Sequence, residues 1–199
     1  VNTLGLVAGN VILTATATTV DGDGDSHTDS EQVDISSAIS FVDDVPVVDV
    51  TLTGATLPSL STDDALTIGA ASDTDSGSFA ALFNLTTNDM GADDDGTLGS
   101  LVYSLSVTTA ASGLSSDGEA ITLAMNGNVL EGSTATGGVI FSVAVDTAGS
   151  ITLTQNAEID HVGEGLDSDA TNNDVNTLGL VAGNVILTAT ATTVDGDGD

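Results

Sequence analysis

Lysine and arginine are absent from this chain, and so is cysteine. Without basic side chains ordinary salt bridges cannot form, and 30 acidic residues leave a formal charge of −30. The counter-charge has to come from solution. A uniformly negative surface excludes nucleic acid as a partner, because phosphate binding needs a positive one, and it disfavours anionic membranes. The lack of cysteine excludes a disulfide scaffold and thiolate metal sites. Tryptophan is missing and Tyr103 is the single tyrosine, so the aromatic platforms that glycosidases use beside paired carboxylates are not available. GxSxG, HExxH and phosphate-binding glycine loops are missing too. His27 and His161 read as surface or loop residues, and no enzymatic activity is expected. No apolar run of about 18 residues occurs, nor a basic n-region with an apolar h-region, so no membrane insertion and no classical signal within this segment are expected.

What is present is a core. Hydrophobic residues make up 40% of the chain and the mean hydropathy is +0.27, whereas acidic disordered chains are poor in aliphatic residues. Of the acids, 25 are Asp and 5 are Glu. Asp is the short carboxylate that suits tight loops and hard-cation coordination. A folded chain of such one-sided charge repels itself, and the repulsion is smallest when cations sit among the carboxylates.

Residues 1–25, VNTLGLVAGNVILTATATTVDGDGD, recur without one change as residues 175–199, a period of 174. This reads as a window on a tandem array of nearly identical units. Residues 1–44 are expected to be the last strands of one repeat unit. Residues 45–199 are expected to be the next unit, truncated before its last strand.

Alternation at spacing two dominates the period and predicts strands. Leu101, Tyr103, Leu105 and Val107 alternate with Val102, Ser104 and Ser106; Ile121, Leu123 and Met125 alternate with Thr122 and Ala124; Val139, Phe141, Val143 and Val145 alternate with Ile140, Ser142 and Ala144. Further strands are expected at Val48 to Leu52, at Ile151 and Leu153, and at Leu13 to Ala17. NGN, TGG and DTAGS, beginning at Asn126, Thr136 and Asp146, supply turns. The expected fold is all-β: an antiparallel Ig-like or cadherin-like sandwich in a tandem array. At most one short helix is expected, in SFAALFN, where Phe79, Leu82 and Phe83 share a face after a Ser78 cap.

The acidic loops carry the chemistry. In DGDGD, carboxylates at alternate positions, with glycines that let the backbone curl, can converge on one cation, and Ca2+ suits such an irregular oxygen cage better than Mg2+. The spacing of Asp21, Asp23 and Asp25 resembles the opening of an EF-hand loop, with Asp29 at its ninth position. Ser26 then replaces the glycine at six and Gln32 the glutamate at twelve, so a calcium loop in a β-hairpin or at a strand end is expected instead. Asp195, Asp197 and Asp199 repeat the same set. Asp43 and Asp44 in FVDDVP precede a stiff extended segment that reads as an interdomain joint and are candidates for a joint site. Asp73 and Asp75 in SDTDSGS form a second candidate loop. Residues 93–95, DDD, read as a solvent-exposed turn, and His161 beside Asp160 is placed to border a cation site.

SFAALFN, GTLGSLVYSLSVTTAASGL, GEAITLAMNGNVLEGSTA, VIFSVAVDTAGSITLTQ, VILTATATTVDGDGDS and ISFVDDVP together resemble the large repeat of bacterial repeat-in-toxin (RTX) adhesins. The resemblance covers almost the whole period. It implies a calcium-rigidified extender domain of a giant type I secreted protein at the bacterial cell surface, acting in adhesion or biofilm formation, with neighbouring repeats of the same chain as its partners. The nonapeptide GGxGxDxUx of that family is absent. Two other readings compete. A self-assembling extracellular filament or sheath would add strand or lateral contacts to other copies. The row Thr14, Thr16 and Thr18 is similar to the threonine arrays of ice-binding surfaces, although one row is too little for a flat face and satisfies β-propensity on its own.

Overall fold

The computed structural model describes residues 3–69, 71–92, 96–161, 178–196 and 198. In these the chain is all-β. The strands are β1 (Thr3–Gly5), β2 (Ile12–Val20), β3 (Ser26–Asp34), β4 (Ser40–Val42), β5 (Val47–Leu52), β6 (Asp73–Ser78), β7 (Phe83–Asp89), β8 (Val102–Val107), β9 (Ala111–Ser116), β10 (Glu119–Asn126), β11 (Val129–Thr134), β12 (Gly138–Val145), β13 (Ser150–Gln155) and β14 (Val185–Thr190). The helical segments described are single 3-10 turns at Ser36–Ala38, Asp64–Leu66 and Ala80–Leu82. No helix among the described residues is long and apolar enough to cross a membrane.

The chain folds as two compact units. One comprises Val1–Val47, Asp89–Thr97 and Val194–Asp199. It holds the antiparallel ribbon β2–β3, paired over nine residues from Ile12 opposite Asp34 to Val20 opposite Ser26, and the short pair β1–β4. Every residue of β2 and β3 is exposed. The ribbon is closed at its open end by Ser36, fully buried, whose hydroxyl accepts from the Val11 N–H at 3.0 Å.

The other unit comprises Val48–Asn88 and Leu98–Thr193. Its main sheet has six strands in the order β6-β13-β12-β11-β10-β9, antiparallel throughout. β8 pairs with β14 and β5 with β7 in two further ribbons. Two-residue turns join the middle strands. Asp117-Gly118 turns β9 into β10 with φ of 50° and 76°, the doubly left-handed geometry that an Asp-Gly pair supports, and Gly127-Asn128 turns β10 into β11.

The core lies between the six-stranded sheet and the β8–β14 ribbon. Ile121 and Leu123 of β10, Leu130 of β11, and Ile140 and Phe141 of β12 form one buried cluster, against which Val107 and Val185 pack. Phe79, Leu105 and Ile151 form a second, with Val185 and Leu187 of β14 against it. Period-two alternation delivers these side chains to one face, as in β10, where Ile121 and Leu123 are buried between exposed neighbours.

Two expectations change. Residues 78–84 do not form a two-turn helix: one 3-10 turn at Ala80–Leu82 gives way to β7 at Phe83. Phe79 is buried and Leu82 packs beside it, while Phe83 meets the Tyr103 ring edge-on at 5.9 Å. The pattern in β12 also slips. Ile140 is 2% exposed and Val139 39%, because the register shifts between Gly132 and Ser133 of β11, so that Ile140 is the extra residue of a bulge.

Candidate metal centre

The DGDGD loop joins β2 to β3, so the expected hairpin setting is the observed one. The Asp21 N–H donates to the Asp25 carbonyl at 2.9 Å and the Gly24 N–H to the Asp21 carbonyl at 3.3 Å. Oδ1 of Asp21 accepts from the N–H groups of Asp23 and Asp25 at 3.3 and 3.0 Å. Gly24 has a φ of +100°, where a side chain would be strained.

The loop has an internal control. DTAGS, between β12 and β13, is built from the same bonds: the Asp146 N–H donates to the Ser150 carbonyl at 3.0 Å and the Gly149 N–H to the Asp146 carbonyl at 3.2 Å. Asp146 Oδ1 accepts from Ala148 and Ser150 at 2.9 and 2.8 Å, and Gly149 has a φ of +77°. The turn therefore requires an Asp at its first position and a Gly at its fourth. Where DTAGS has Ala148 and Ser150, the acidic loop has Asp23 and Asp25, whose carboxylates the turn does not need.

Those carboxylates nevertheless converge. Ligand atoms of Asp21, Asp23 and Asp25 all lie within 4.8 Å of one another, and all three residues are exposed. Among the described residues this is the one group of three or more acids and histidines that could hold a metal ion. The Asp21 carboxyl is held below its ordinary pKa, first by the neighbouring Asp23 side chain; desolvation, the second-largest influence, opposes this, and the backbone N–H groups of Asp25, Asp23 and Gly24 add to the lowering. An ionised carboxylate with free lone pairs beside two others is what a hard cation requires.

The other candidates are placed differently. Asp73 and Asp75 lie on strand β6, not in a loop. Their Oδ2 atoms accept from the N–H groups of Asp63 and Ser61 at 2.8 and 2.9 Å, so they pin residues 61–63 alongside an edge strand. Asp44 Oδ2 accepts from the Ala92 N–H at 2.8 Å across 48 residues of sequence, and its carboxylate occupies the space a Cβ on Gly91 would need; Asp43 is half-buried beside it. Asp29, in the ninth position counted from Asp21, is on β3 opposite Ala17. In the second copy Asp195 is 4% exposed and its Oδ1 accepts from the Gly198 N–H at 3.0 Å. Asp197, Asp199 and residues 93–95 lie outside the described residues. His161 meets Asp64, not Asp160: its Nδ1 is 3.2 Å from Asp64 Oδ2. Asp64 also accepts from the amide of Gln155, a buried side chain that takes the Thr62 hydroxyl at 2.6 Å.

Several structural acids carry no signal of their own in the sequence. Asp34 accepts from the N–H groups of Gly9 and Ser36 at 2.7 and 2.9 Å. Asp160 accepts from Gly118 at 2.9 Å and Glu119 from Thr136 at 3.0 Å. Ser36 lies two residues from Asp34, whereas Gly9, Gly118 and Thr136 are brought up by the topology.

Residues 59–199 match the DUF5801 domain, a domain of unknown function. The chain belongs to the DUF5801 family. The DUF5801 match takes in Asp73, Asp75 and the second acidic segment at residues 195–199, while the converging Asp21, Asp23 and Asp25 precede it as the first copy of that segment. No curated protein and no solved structure matches the chain.

Proposed function

We propose that this chain is a calcium-stabilised structural repeat of a giant secreted bacterial surface protein of the RTX adhesin type, acting as a rigid extender outside the cell. The observation that carries the reading is the DGDGD loop. It holds three converging carboxylates in a turn that, by comparison with DTAGS, needs one of them, on a chain without a single lysine or arginine. Carboxylates retained against their mutual repulsion call for a divalent cation, and an irregular, exposed, all-oxygen site favours calcium over magnesium. Asp21 Oδ2, Asp23 and Asp25 would hold it, with water completing the shell. The antiparallel core gives the mechanical element, and the exact 25-residue repeat points to neighbouring units of the same kind.

A ligand bound by the native state alone stabilises it by RT ln(1 + [L]/Kd). Millimolar calcium over a site with a Kd of roughly 10 to 100 µM contributes about 1 to 3 kcal/mol. The same linkage keeps the chain loose where calcium is scarce and folds it where calcium is plentiful, which suits export in an unfolded state. Calorimetric titration of the chain and of Asp23→Asn tests this. The expected result is calcium binding that raises the melting temperature, weakened about tenfold or more by Asp23→Asn with the circular dichroism of the strands unchanged. A melting temperature indifferent to a chelator, or equal calcium affinity in the variant, would remove the proposal.

A further inference from the structure

Thr62 and Gln155 meet in the unit that holds the six-stranded sheet, although 93 residues separate them in sequence. Gln155 ends β13, whose neighbour β6 is the edge strand of that sheet. Residues 61–63 run alongside β6, where the Ser61 N–H donates to Asp75 Oδ2 at 2.9 Å and the Asp63 N–H to Asp73 Oδ2 at 2.8 Å. The two aspartates thus clamp the residues on either side of Thr62. Between them the Thr62 hydroxyl donates to Oε1 of Gln155 at 2.6 Å. Asp64 opens the 3-10 turn that follows. Its Oδ1 accepts from Nε2 of Gln155, and its Oδ2 lies 3.2 Å from Nδ1 of His161.

The Gln155 side chain is closely held. The residue is 2% exposed, and its Nε2 also donates to the Ala157 carbonyl at 3.0 Å. With two oxygen acceptors at the nitrogen and a hydroxyl at the oxygen, the partners fix which end of the amide is which. A hydroxyl nucleophile therefore stands at the carbonyl end of a buried amide, and a carboxyl backed by one of the chain's two histidines stands at the nitrogen end. These are the parts that an acyl transfer needs.

We infer that Thr62 and Gln155 become joined by an ester formed within the chain. Thr62 Oγ1 bonds to Cδ of Gln155, the Cδ–Nε2 bond breaks, and the nitrogen departs as ammonia. The hydroxyl gives up one proton and the nitrogen gains one. Asp64, in contact with Nε2, carries that exchange, and His161 acts through Asp64 as a positioning residue. No oxidant, reductant or further reactant enters. Fixed proximity supplies what an alcohol and an amide lack when they meet in solution. Ammonia escapes to bulk water and is protonated there, which makes the step one-way, while burial of Gln155 keeps water from competing with the hydroxyl and from hydrolysing the product. The link closes a loop from residue 62 to residue 155 that encloses β6 to β13, so it restricts the unfolded chain and lets a pull on the ends of the unit bypass those strands. The inference is independent of calcium, since none of these residues belongs to the DGDGD loop.

The intact mass of the full chain, measured after denaturation, tests it. The expected mass is that of the sequence less one ammonia. Digestion by a protease specific for acidic residues should yield the peptide of Thr62 joined to the peptide of Gln155, and hydroxylamine, which cleaves esters, should separate them. Thr62→Val, which keeps the shape and removes the nucleophile, should show the full mass, and Thr62→Ser should restore the loss. Asp64→Asn should retain the ammonia, and His161→Gln should slow its release on refolding by about tenfold or more. These readouts follow a covalent change that a merely structural role would not produce. The full mass in the folded native chain overturns the ester. Loss of ammonia that persists in Thr62→Val also overturns it by tracing the loss to another amide, and an unchanged rate in His161→Gln overturns its positioning role.

Discussion

With no lysine or arginine to take them, several carboxylates among the described residues accept backbone N–H groups instead. Asp34 is held below its ordinary pKa first by the Ser36 hydroxyl and then by the Ser36 and Gly9 N–H groups. Asp160 is lowered first by the Gly118 N–H, and Glu119 first by the Thr136 N–H. A carboxyl whose folded pKa is depressed adds stability that is present above its unfolded value, about 4, and lost as the pH falls through the lower folded value. The chain should therefore lose melting temperature in acid below about pH 4. Asp160→Asn should lower stability at neutral pH and flatten part of that acid slope, as read from melting curves between about pH 2 and 7. Asp21, Asp23 and Asp25 were legible as a set from spacing alone. The clasp that Asp34 makes with Gly9 was not, since Gly9 lies 25 residues away, although its other partner, Ser36, is local.

At the scale of the element, glycine placement records which strands touch. A Cβ on Gly132 would fall on the ring of Phe141, a buried residue directly opposite in β12. The bulge beside it turns Ile140 inward as well. Gly132→Ala should destabilise the second unit by roughly 1 to 3 kcal/mol through overpacking, measured by urea unfolding, whereas Gly118→Asn, at an open turn position with positive φ, should cost clearly less. The strands themselves were readable from alternation, and the bulge was not, because nothing local distinguishes an inserted residue from its neighbours. SFAALFN failed as a helix for a related reason: after one turn, Phe83 finds its ring partner Tyr103 from a strand, and packing overrides a short helical pattern. SDTDSGS read as loop because its composition is that of a turn. It forms an edge strand whose aspartates take the N–H groups of Ser61 and Asp63.

For the whole molecule the governing quantity is the charge of −30. Nearly every charge–charge term is repulsive, so screening should stabilise the fold. The melting temperature is expected to rise with NaCl as the Debye length contracts from about 30 Å at 0.01 M to about 10 Å at 0.1 M. Calcium should exceed this general effect: at equal ionic strength, CaCl2 should raise the melting temperature more than NaCl in the native chain, and Asp23→Asn should narrow the difference. Equal curves for the two salts would reduce the DGDGD loop to a solvated turn.

The amino-acid sequence by itself determined the period-two faces, the hairpin turns, the all-β class and the convergence of three carboxylates in one loop. Each of these depends on residues within about ten positions of one another, where backbone geometry and steric preference decide. Only the tertiary structure decided what residues 12–16 and 186–190 do with the same five side chains. Their neighbouring turns agree, with a φ of +91° at Gly9 and +86° at Gly183 and the same bond back to Val7 or Val181. Yet one strand pairs with β3 in the open and the other with β8 against a core. A strand has two hydrogen-bonding edges and two faces, and its sequence leaves open which of them is used. The partner that the rest of the chain brings alongside makes that choice.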